Sequence, residues 1–281
     1  MPEACSALRS LPLVHFSLTA MNDLFSLAGC TALVTGGSRG IGRMIAAGFL
    51  QAGARVFISS RKAEACDAAA AELAKLGPCI SLPADVATQE GQRGLVAALA
   101  KHTPHLDILV NNAGAAWGAP FVEFPECGWV KVVDLNLKGP FFLTQALHGA
   151  LKAGAARGPV AKVINIASID GLSVNPQETY SYAASKAGLI HLTRRMALKL
   201  ARDRIAVSAI APGAFASDMN RVARDHGDEV AKLIPAGRIG TDEDMAGAAI
   251  YLASRAGDYV VGATLVVDGG IMYARPRASP P

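Results

Sequence analysis

The sequence predicts a doubly wound α/β fold: a parallel sheet of seven strands with helices on both faces, in a single domain. Three observations predict it. From residue 31 onward, short β-branched runs alternate with longer Ala/Leu-rich segments; each run stops at Gly, Asn, Asp or Ser; and no linker or shift in composition divides the chain. Strands bounded by helices in this rhythm imply a parallel sheet covered on both faces. Such sheets bind ligands beyond the carboxyl ends of their strands, so those ends are where chemistry is expected.

Taken in order, "TALVTG" is the first strand, and the glycine-rich "TGGSRGIG" (35–42) leads from it into a helical pattern near 41–52. "ARVFISS" is the second strand, followed by helix near 61–76, and "CISLPAD" the third, followed by helix near 88–101. "LDILVNNAG" is the fourth, and one long helical pattern over 126–155 separates it from the fifth, "AKVINIAS". A helix near 180–202 leads to the sixth strand, "RIAVSAIAPG", and a helix near 241–253 precedes the seventh, "ATLVVDGG". Between the sixth strand and that last helix, residues 214–240 form the one long insertion, read either as a lid of short helices over the site or as an ordinary surface excursion.

Composition narrows the function classes. Hydrophobic residues make up 51% and charged ones 18%, which points to a large core, subunit interfaces, or both. The net charge of +4 comes from scattered basic residues, which gives nucleic acid binding little support. No run reaches the ~18 apolar residues of a membrane span. The five cysteines lack any CxxC spacing or matching histidine pair, the pattern of a reduced cytoplasmic protein with no metal site. Residues 1–21 read as a disordered or start-site extension ahead of the domain at 22–281; Pro12 and His15 interrupt the short apolar stretch that would otherwise resemble a signal peptide.

Two stretches carry chemistry. In "TGGSRGIG" glycines allow the backbone close to a pyrophosphate, and the helix amino end offers free N–H groups; the spacing fits neither GxGxxG nor a Walker loop. In "TYSYAASK" Tyr182 and Lys186 are four residues apart, so on a helix they share a face, and Tyr180 does not. A lysine ammonium there is expected to stabilise the phenolate and lower the tyrosine pKa, making a usable general acid.

"TGGSRGIG", "NNAG" (111–114) and "SYAASK" (181–186), in this order and spacing, resemble the short-chain dehydrogenase/reductase family, over about residues 24–274. "FSLAGCTALVTGGSRGIGRMIA" and "AGARVFISSRKAEAC" carry a closer similarity to its NADPH-dependent 3-oxoacyl reductases, particularly the kind associated with rhamnolipid synthesis. The resemblance implies a Rossmann-like fold, a homotetramer, and hydride transfer to a carbonyl that Tyr182 protonates. It implies that Lys186 also holds the cofactor ribose, that Ser168 fixes the carbonyl oxygen, and that Asn136 supports a water-linked proton path to the lysine. Taken singly, a serine after a strand or an asparagine in a helix is more often a cap or a polar core residue.

For the cofactor, the resemblance points to Gly36, Ser38, Arg39, Gly40, Ile41 and Gly42 in the glycine turn, with Asp85 and Val86 at the adenine. Asn111, Asn112, Ala113 and Gly114 then line the groove, and Pro212 and Gly213 pack on the nicotinamide. Asn112 and Gly114 also read as residues that simply shape the turn. Ser217 stands where the family often has threonine, which keeps the hydroxyl but leaves its contact to the carboxamide open. The second strand ends in "ISSRK", with Ser60 and Arg61 and no carboxylate to hold a ribose 2′-hydroxyl. With Arg39 in reach of a 2′-phosphate, NADPH is the expected cofactor; Lys62 reads as the start of an exposed helix.

Phe215, Met219, Val222, Leu233 and Ile234 of the 214–240 segment, with Trp117 and Leu172, are expected to make an apolar mouth suited to a fatty acyl chain, or else to be packing. The expected substrate is therefore a 3-oxoacyl thioester, carried by acyl carrier protein or coenzyme A. Arg194, Arg195, Arg202 and Arg204 offer a docking face for an acidic carrier or an ordinary solvated face. Two other readings stand beside it: a reductase of another carbonyl, such as a sugar or small ketone, and a non-catalytic NADPH-binding regulator.

Overall fold

The computed structural model describes residues 23–274, so the extension expected at 1–21 lies outside the described residues. Seven strands, β1 (Thr31–Thr35), β2 (Arg55–Ser59), β3 (Cys79–Ser81), β4 (Ile108–Asn111), β5 (Ala161–Ile166), β6 (Ile205–Pro212) and β7 (Thr264–Val267), make one sheet in the order β3-β2-β1-β4-β5-β6-β7. Every neighbouring pair is parallel. The chain winds outward from β1 to β3 and then crosses back to β4, so a crevice opens at the carboxyl ends of β1 and β4.

The strands are buried on both faces, and their two-residue period sorts the core into two layers. Val34, Val56, Ile58, Ile108, Val110 and Ile164 face one layer. Leu33, Phe57, Leu109 and Val163, the alternate residues of the same strands, face the other. The first layer is closed by α1 (Gly40–Gln51), which contributes Ile45 and Phe49, and by the last helix, Asp242–Ala253, which contributes Met245 and Leu252. A β-carbon on Gly48 would lie 2.5 Å from that of Ala246, so glycine is what lets these two helices touch. Helix α2 (Ala63–Leu73) follows β2, and α3 (Gln89–Ala100) follows β3 and starts at Thr88, whose hydroxyl accepts from the Gly91 amide at 3.0 Å.

The helical pattern expected over 126–155 is not one helix. It divides into α4 (Glu126–Val133), a π turn at Asp134–Lys138, α5 (Gly139–Ala146) and α6 (His148–Arg157). Pro140 is the physical cause of the first break: it has no N–H to give the carbonyl four residues back, that of Asn136. Helix α7 (Tyr180–Leu200) leads into β6. The insertion after β6 holds two short helices, α8 (Arg221–Asp225) and α9 (Gly227–Ala231), and returns through a bridge between Phe215 and Gly240 to α10 (Asp242–Ala253). Thr241 and Asp244 form a capping box at the start of α10. Among the described residues no helix is long and apolar enough to cross a membrane.

Candidate active site

At the carboxyl end of β1 the chain turns through Gly36 (φ +66°) and Gly40 (φ +50°), backbone that favours glycine. Gly42 is needed for space: a β-carbon there would sit 2.3 Å from the Gly36 carbonyl oxygen and 2.4 Å from the Asn112 amide nitrogen. Asn112 ties this turn to β4, donating from Nδ2 to the Thr35 carbonyl at 2.9 Å. The Thr35 hydroxyl accepts from the amides of Asn112 (3.0 Å) and Ala113 (3.1 Å). Asn112 thus shapes the turn, as one of its two readings had it. Among the described residues no side chain caps α1, whose amino end follows directly on Ser38 and Arg39 and includes Ile41. Free amides at the positive end of a helix dipole suit a phosphate.

The end of β2 presents Ser60 and an exposed Arg61 with no carboxylate beside them in the chain. Arg39 is not free to wait for a phosphate: its Nη1 donates to Asp218 Oδ2 at 2.6 Å. Asp85 Oδ1 accepts from the Ala87 amide at 3.1 Å and so bends the chain into α3, with Val86 buried behind it.

At the other end of the crevice, Ser168 follows β5 and Tyr182 lies in the first turn of α7, half-buried. The Ser168 hydroxyl accepts from the Asp170 amide at 3.1 Å. Burial pushes the Tyr182 phenol up to about 12, a hydrogen bond with Ser168 pulls it down, and the charge of Asp170 adds to the rise. Lys186 does not play the part the spacing predicts. Its ammonium donates to the Ile166 carbonyl at 2.7 Å and stands 5.6 Å from the centre of the Tyr182 ring rather than at its hydroxyl. It shares the face of Tyr182 without lowering the phenol, and burial brings Lys186 itself down to about 8.

That burial predicts a pH effect on stability. A lysine whose pKa falls on folding binds more protons unfolded, so its destabilising contribution is fully present below the folded value near 8 and disappears as pH rises toward the ordinary 10.5. Relative to a Lys186→Met variant, the native protein should gain on the order of 1–3 kcal/mol between pH 8 and 10.5, because each tenfold change in proton affinity is worth about 1.4 kcal/mol. Paired urea titrations at the two pH values check this. A difference that does not change with pH would show that the lysine is not buried as an ammonium.

Asn136, in the π turn, is fully buried. Its Oδ1 accepts from the Ala115 amide at 2.8 Å, and its Nδ2 donates to the Ala115 carbonyl (2.9 Å) and to Ser185 Oγ (3.0 Å). Ser185 Oγ in turn donates to the Tyr182 carbonyl at 2.7 Å. One asparagine therefore fastens the loop after "NNAG" to the helix of Tyr182 and Lys186. A β-carbon on Gly114 would meet Asn136 Oδ1 at 3.3 Å and Lys186 Nζ at 3.8 Å.

Ser185 and Thr35 escaped sequence reasoning, and Asn111, expected to line the cofactor groove, is instead buried in a polar chain within the sheet. Asn111 Nδ2 donates to Thr144 Oγ1 (3.1 Å) and Asn165 Oδ1 (2.9 Å), and Asn165 Nδ2 donates to Thr193 Oγ1 (2.9 Å). The available signal was a polar residue inside each of two otherwise apolar strands, in "ILVN" and "VINI".

Pro212 and Gly213 end β6, where a β-carbon on Gly213 would lie 2.7 Å from that of Asp268. Ser217 Oγ accepts from the Asn220 amide at 3.1 Å and its β-carbon approaches Gly40. Ser181 is a buried residue inside α7 whose hydroxyl has no partner among the described residues, and Thr179 occupies the cap position without a side-chain bond. Tyr180 begins α7 and lines a cavity of about 380 Å³ with Asp170, Leu172, Val174, Ala183 and Ala187. Of the residues expected at an apolar mouth, Leu172 lines this cavity. Phe215 and Ile234 are core residues, and Trp117 packs on Gly128 of α4.

Comparison with known proteins bears on what this crevice does. A family model described as enoyl-(acyl carrier protein) reductase, a short-chain dehydrogenase type, matches residues 36–272. The rhamnolipids biosynthesis 3-oxoacyl-(acyl-carrier-protein) reductase of Pseudomonas aeruginosa is 47% identical over 253 residues, 89% of this chain and 99% of that protein. The chain belongs to the short-chain dehydrogenase/reductase family. Within this family of oxidoreductases, the 5-keto-D-gluconate 5-reductase of Escherichia coli is 38% identical over 263 residues, 90% of this chain and 100% of that protein.

Among solved family members, the Pseudomonas aeruginosa RhlG/NADP active-site complex superposes with a TM-score of 0.85 at 46% identity, covering 89% of this chain and 98% of that one. A gluconate 5-dehydrogenase from Burkholderia cenocepacia, in complex with NADP and tartrate, superposes with a TM-score of 0.82 at 35% identity, covering 90% and 98%. The present crevice fits such a dinucleotide on its own features: the uncapped α1, the space kept by Gly42, and Arg61 with no carboxylate beside it in the chain at the end of β2.

Proposed function

We propose that this short-chain oxidoreductase reduces 3-oxoacyl thioesters to 3-hydroxyacyl thioesters with NADPH. Bound in the crevice between β1 and β4, NADPH supplies the hydride. Gly36, Ser38, Gly40, Ile41 and Gly42 hold its pyrophosphate at the start of α1, and Arg39, Ser60 and Arg61 its 2′-phosphate. Asp85 and Val86 flank the adenine, with Asn112, Ala113 and Gly114 along the groove and Pro212, Gly213 and Ser217 at the nicotinamide end. Tyr182 gives its proton to the carbonyl oxygen, Ser168 holds that oxygen in place, Lys186 would hold the cofactor ribose, and Asn136 fixes their two supporting segments together.

The observation that carries the acyl assignment is the cavity lined by chain neighbours of Ser168 and Tyr182, among them Asp170, Leu172, Tyr180 and the alanines of α7, whose leucine and alanine side chains favour an apolar chain. The similarity to the rhamnolipid reductase supports it. NADPH oxidation measured with 3-oxoacyl thioesters of increasing length should show kcat/KM rising by about 10-fold or more from four to eight carbons, since each buried methylene is worth ~0.8 kcal/mol. Acyl carrier protein and coenzyme A forms, run side by side, identify the carrier. A flat series, with keto-gluconate the better substrate, would favour the second reading, a sugar-acid reductase, for which the 38% identical relatives speak.

The same proposal includes a homotetramer. Phe121, Val122, Trp129, Val130 and Phe141 are exposed on and beside α4 and α5, more apolar surface than a lone domain usually leaves to water. Light scattering should give about four times the chain mass of 29.0 kDa. A monomer mass would remove this part.

A further inference from the structure

The cavity next to Ser168 has one charged wall. Asp170, two residues after Ser168 and half-buried, lines it. Its Oδ1 accepts from Asn175 Nδ2 at 2.7 Å, and its charge reaches the Tyr182 phenol, so the carboxylate lies close to the proposed proton donor. Among the described residues, Asp170 is the only ionisable acid or base in the lining apart from the Tyr180 phenol, and that phenol donates to a second carboxylate, Glu178 Oε1, at 3.1 Å. No lysine, arginine or histidine of the described residues lines the cavity. The nearby cation, Lys186, is turned away to the Ile166 carbonyl beneath the tyrosine ring.

A substrate carrying its own carboxylate beside the reacting carbonyl would place that anion next to Asp170, partly out of water and with no cation to pair with. Like charges in a partly desolvated site repel strongly, and discrimination between substrates is often built from such a repulsive element. An ester or thioester at the same position carries no charge, keeps the carbonyl geometry, and meets none of this penalty.

We propose that Asp170 is a specificity-determining residue that excludes keto-carboxylates and admits neutral ketones, esters and thioesters. The inference rests on the reading that carbonyl reduction takes place at Ser168 and Tyr182. Within that reading it separates this chain from reduction of 2- and 3-oxo acids, whose carboxylate lies within two carbons of the reacting carbonyl.

The test is a pair of small substrates, acetoacetate and its methyl ester, each with NADPH; they differ in charge at the deciding position, and the Asp170 variants separate that charge from the added methyl group. Native protein should prefer the ester in kcat/KM by about 100-fold, as the like-charge cost implies. Asp170→Asn, which keeps the size and the bond to Asn175, should narrow that preference by about 10-fold or more through faster reduction of the acid, with the ester changed by less than ~3-fold. Asp170→Ala, with NADPH affinity and unfolding midpoint measured on each variant, repeats the test should the asparagine variant fold poorly. A preference unmoved in the folded variants, or a native protein that reduces acid and ester equally, overturns the proposal. The thioester length series is read separately. A flat series with an Asp170-dependent ester preference would remove the acyl reading and keep the charge filter, and a rising series with an unmoved preference would do the reverse.

Discussion

Replacing Tyr182 by Phe is expected to lower kcat for NADPH-dependent carbonyl reduction by ~10²–10⁴-fold, the usual contribution of a positioned general acid, while NADPH affinity stays within about 3-fold. The phenol is held up near 12 by burial, so at neutral pH it carries its proton, which it can still give to the far more basic alkoxide that forms as the carbonyl is reduced. Phenylalanine keeps the ring that faces the Lys186 ammonium at 5.6 Å and removes only the hydroxyl that bonds with Ser168. The cofactor groove, built from the turn at Gly36–Gly42 and its Asn112 tie, does not depend on that hydroxyl. Stopped-flow reduction together with NADPH fluorescence titration separates the two quantities. Turnover preserved in the phenylalanine variant would remove Tyr182 as donor. Any cellular effect that persisted unchanged in an inactive variant would favour the NADPH-binding regulator.

The seven strands were legible because a strand buried on both faces writes itself locally: a short β-branched run and a turn residue suffice, and Val34, Ile58 and Val110 needed no knowledge of their neighbours. Tyr182, Lys186, Ser168, Asn136 and the glycine turn were legible as residues, and the fold brings them to the same sheet edge. What they do to one another was less legible. The four-residue spacing placed Lys186 on the face of Tyr182, but the carbonyl that captures its ammonium belongs to β5, 20 residues earlier. Likewise, the split of the 126–155 helix hangs on Pro140, and the burial of Phe215 on its contact with Gly240 across the whole insertion. His148 is bonded at 2.8 Å to Asp203, which the chain places 55 residues away, beyond the reach of any local pattern. Apolar pattern reports whether a residue is buried; it does not report against what, and that is why Phe215 and Ile234 read equally as mouth or as packing, and the structure shows packing.

Cofactor choice should depend on Arg39 in a way that also involves the 214–240 insertion. Arg39→Ala is expected to weaken NADPH binding by ~10–100-fold, the worth of a charge-assisted bond to phosphate, and NADH binding by less than ~3-fold. In the structure that guanidinium is held by Asp218, whose other oxygen accepts from Arg224 Nη1 at 2.7 Å. The two arginines, Arg39 first, keep the Asp218 carboxyl below its ordinary range. The Arg39 to Asp218 pair is largely exposed, with side-chain accessibilities of 74% and 47%, so water screens it and it offers little resistance. A 2′-phosphate carries more charge and more acceptor oxygens than Asp218, and for Arg39 to reach it the contact with the insertion must open. Asp218→Asn should therefore tighten NADPH only modestly, by about 3-fold at most, and leave NADH unchanged, the opposite sign from Arg39→Ala, and calorimetric titration with both dinucleotides reads each. Equal losses for NADPH and NADH in the Arg39 variant would mean that its guanidinium serves the glycine turn rather than the phosphate. An Asp218 variant that tightens NADPH would mean that the anion on the insertion and the anion on the cofactor compete for one cation, so that dinucleotide binding and the position of the insertion are a single equilibrium.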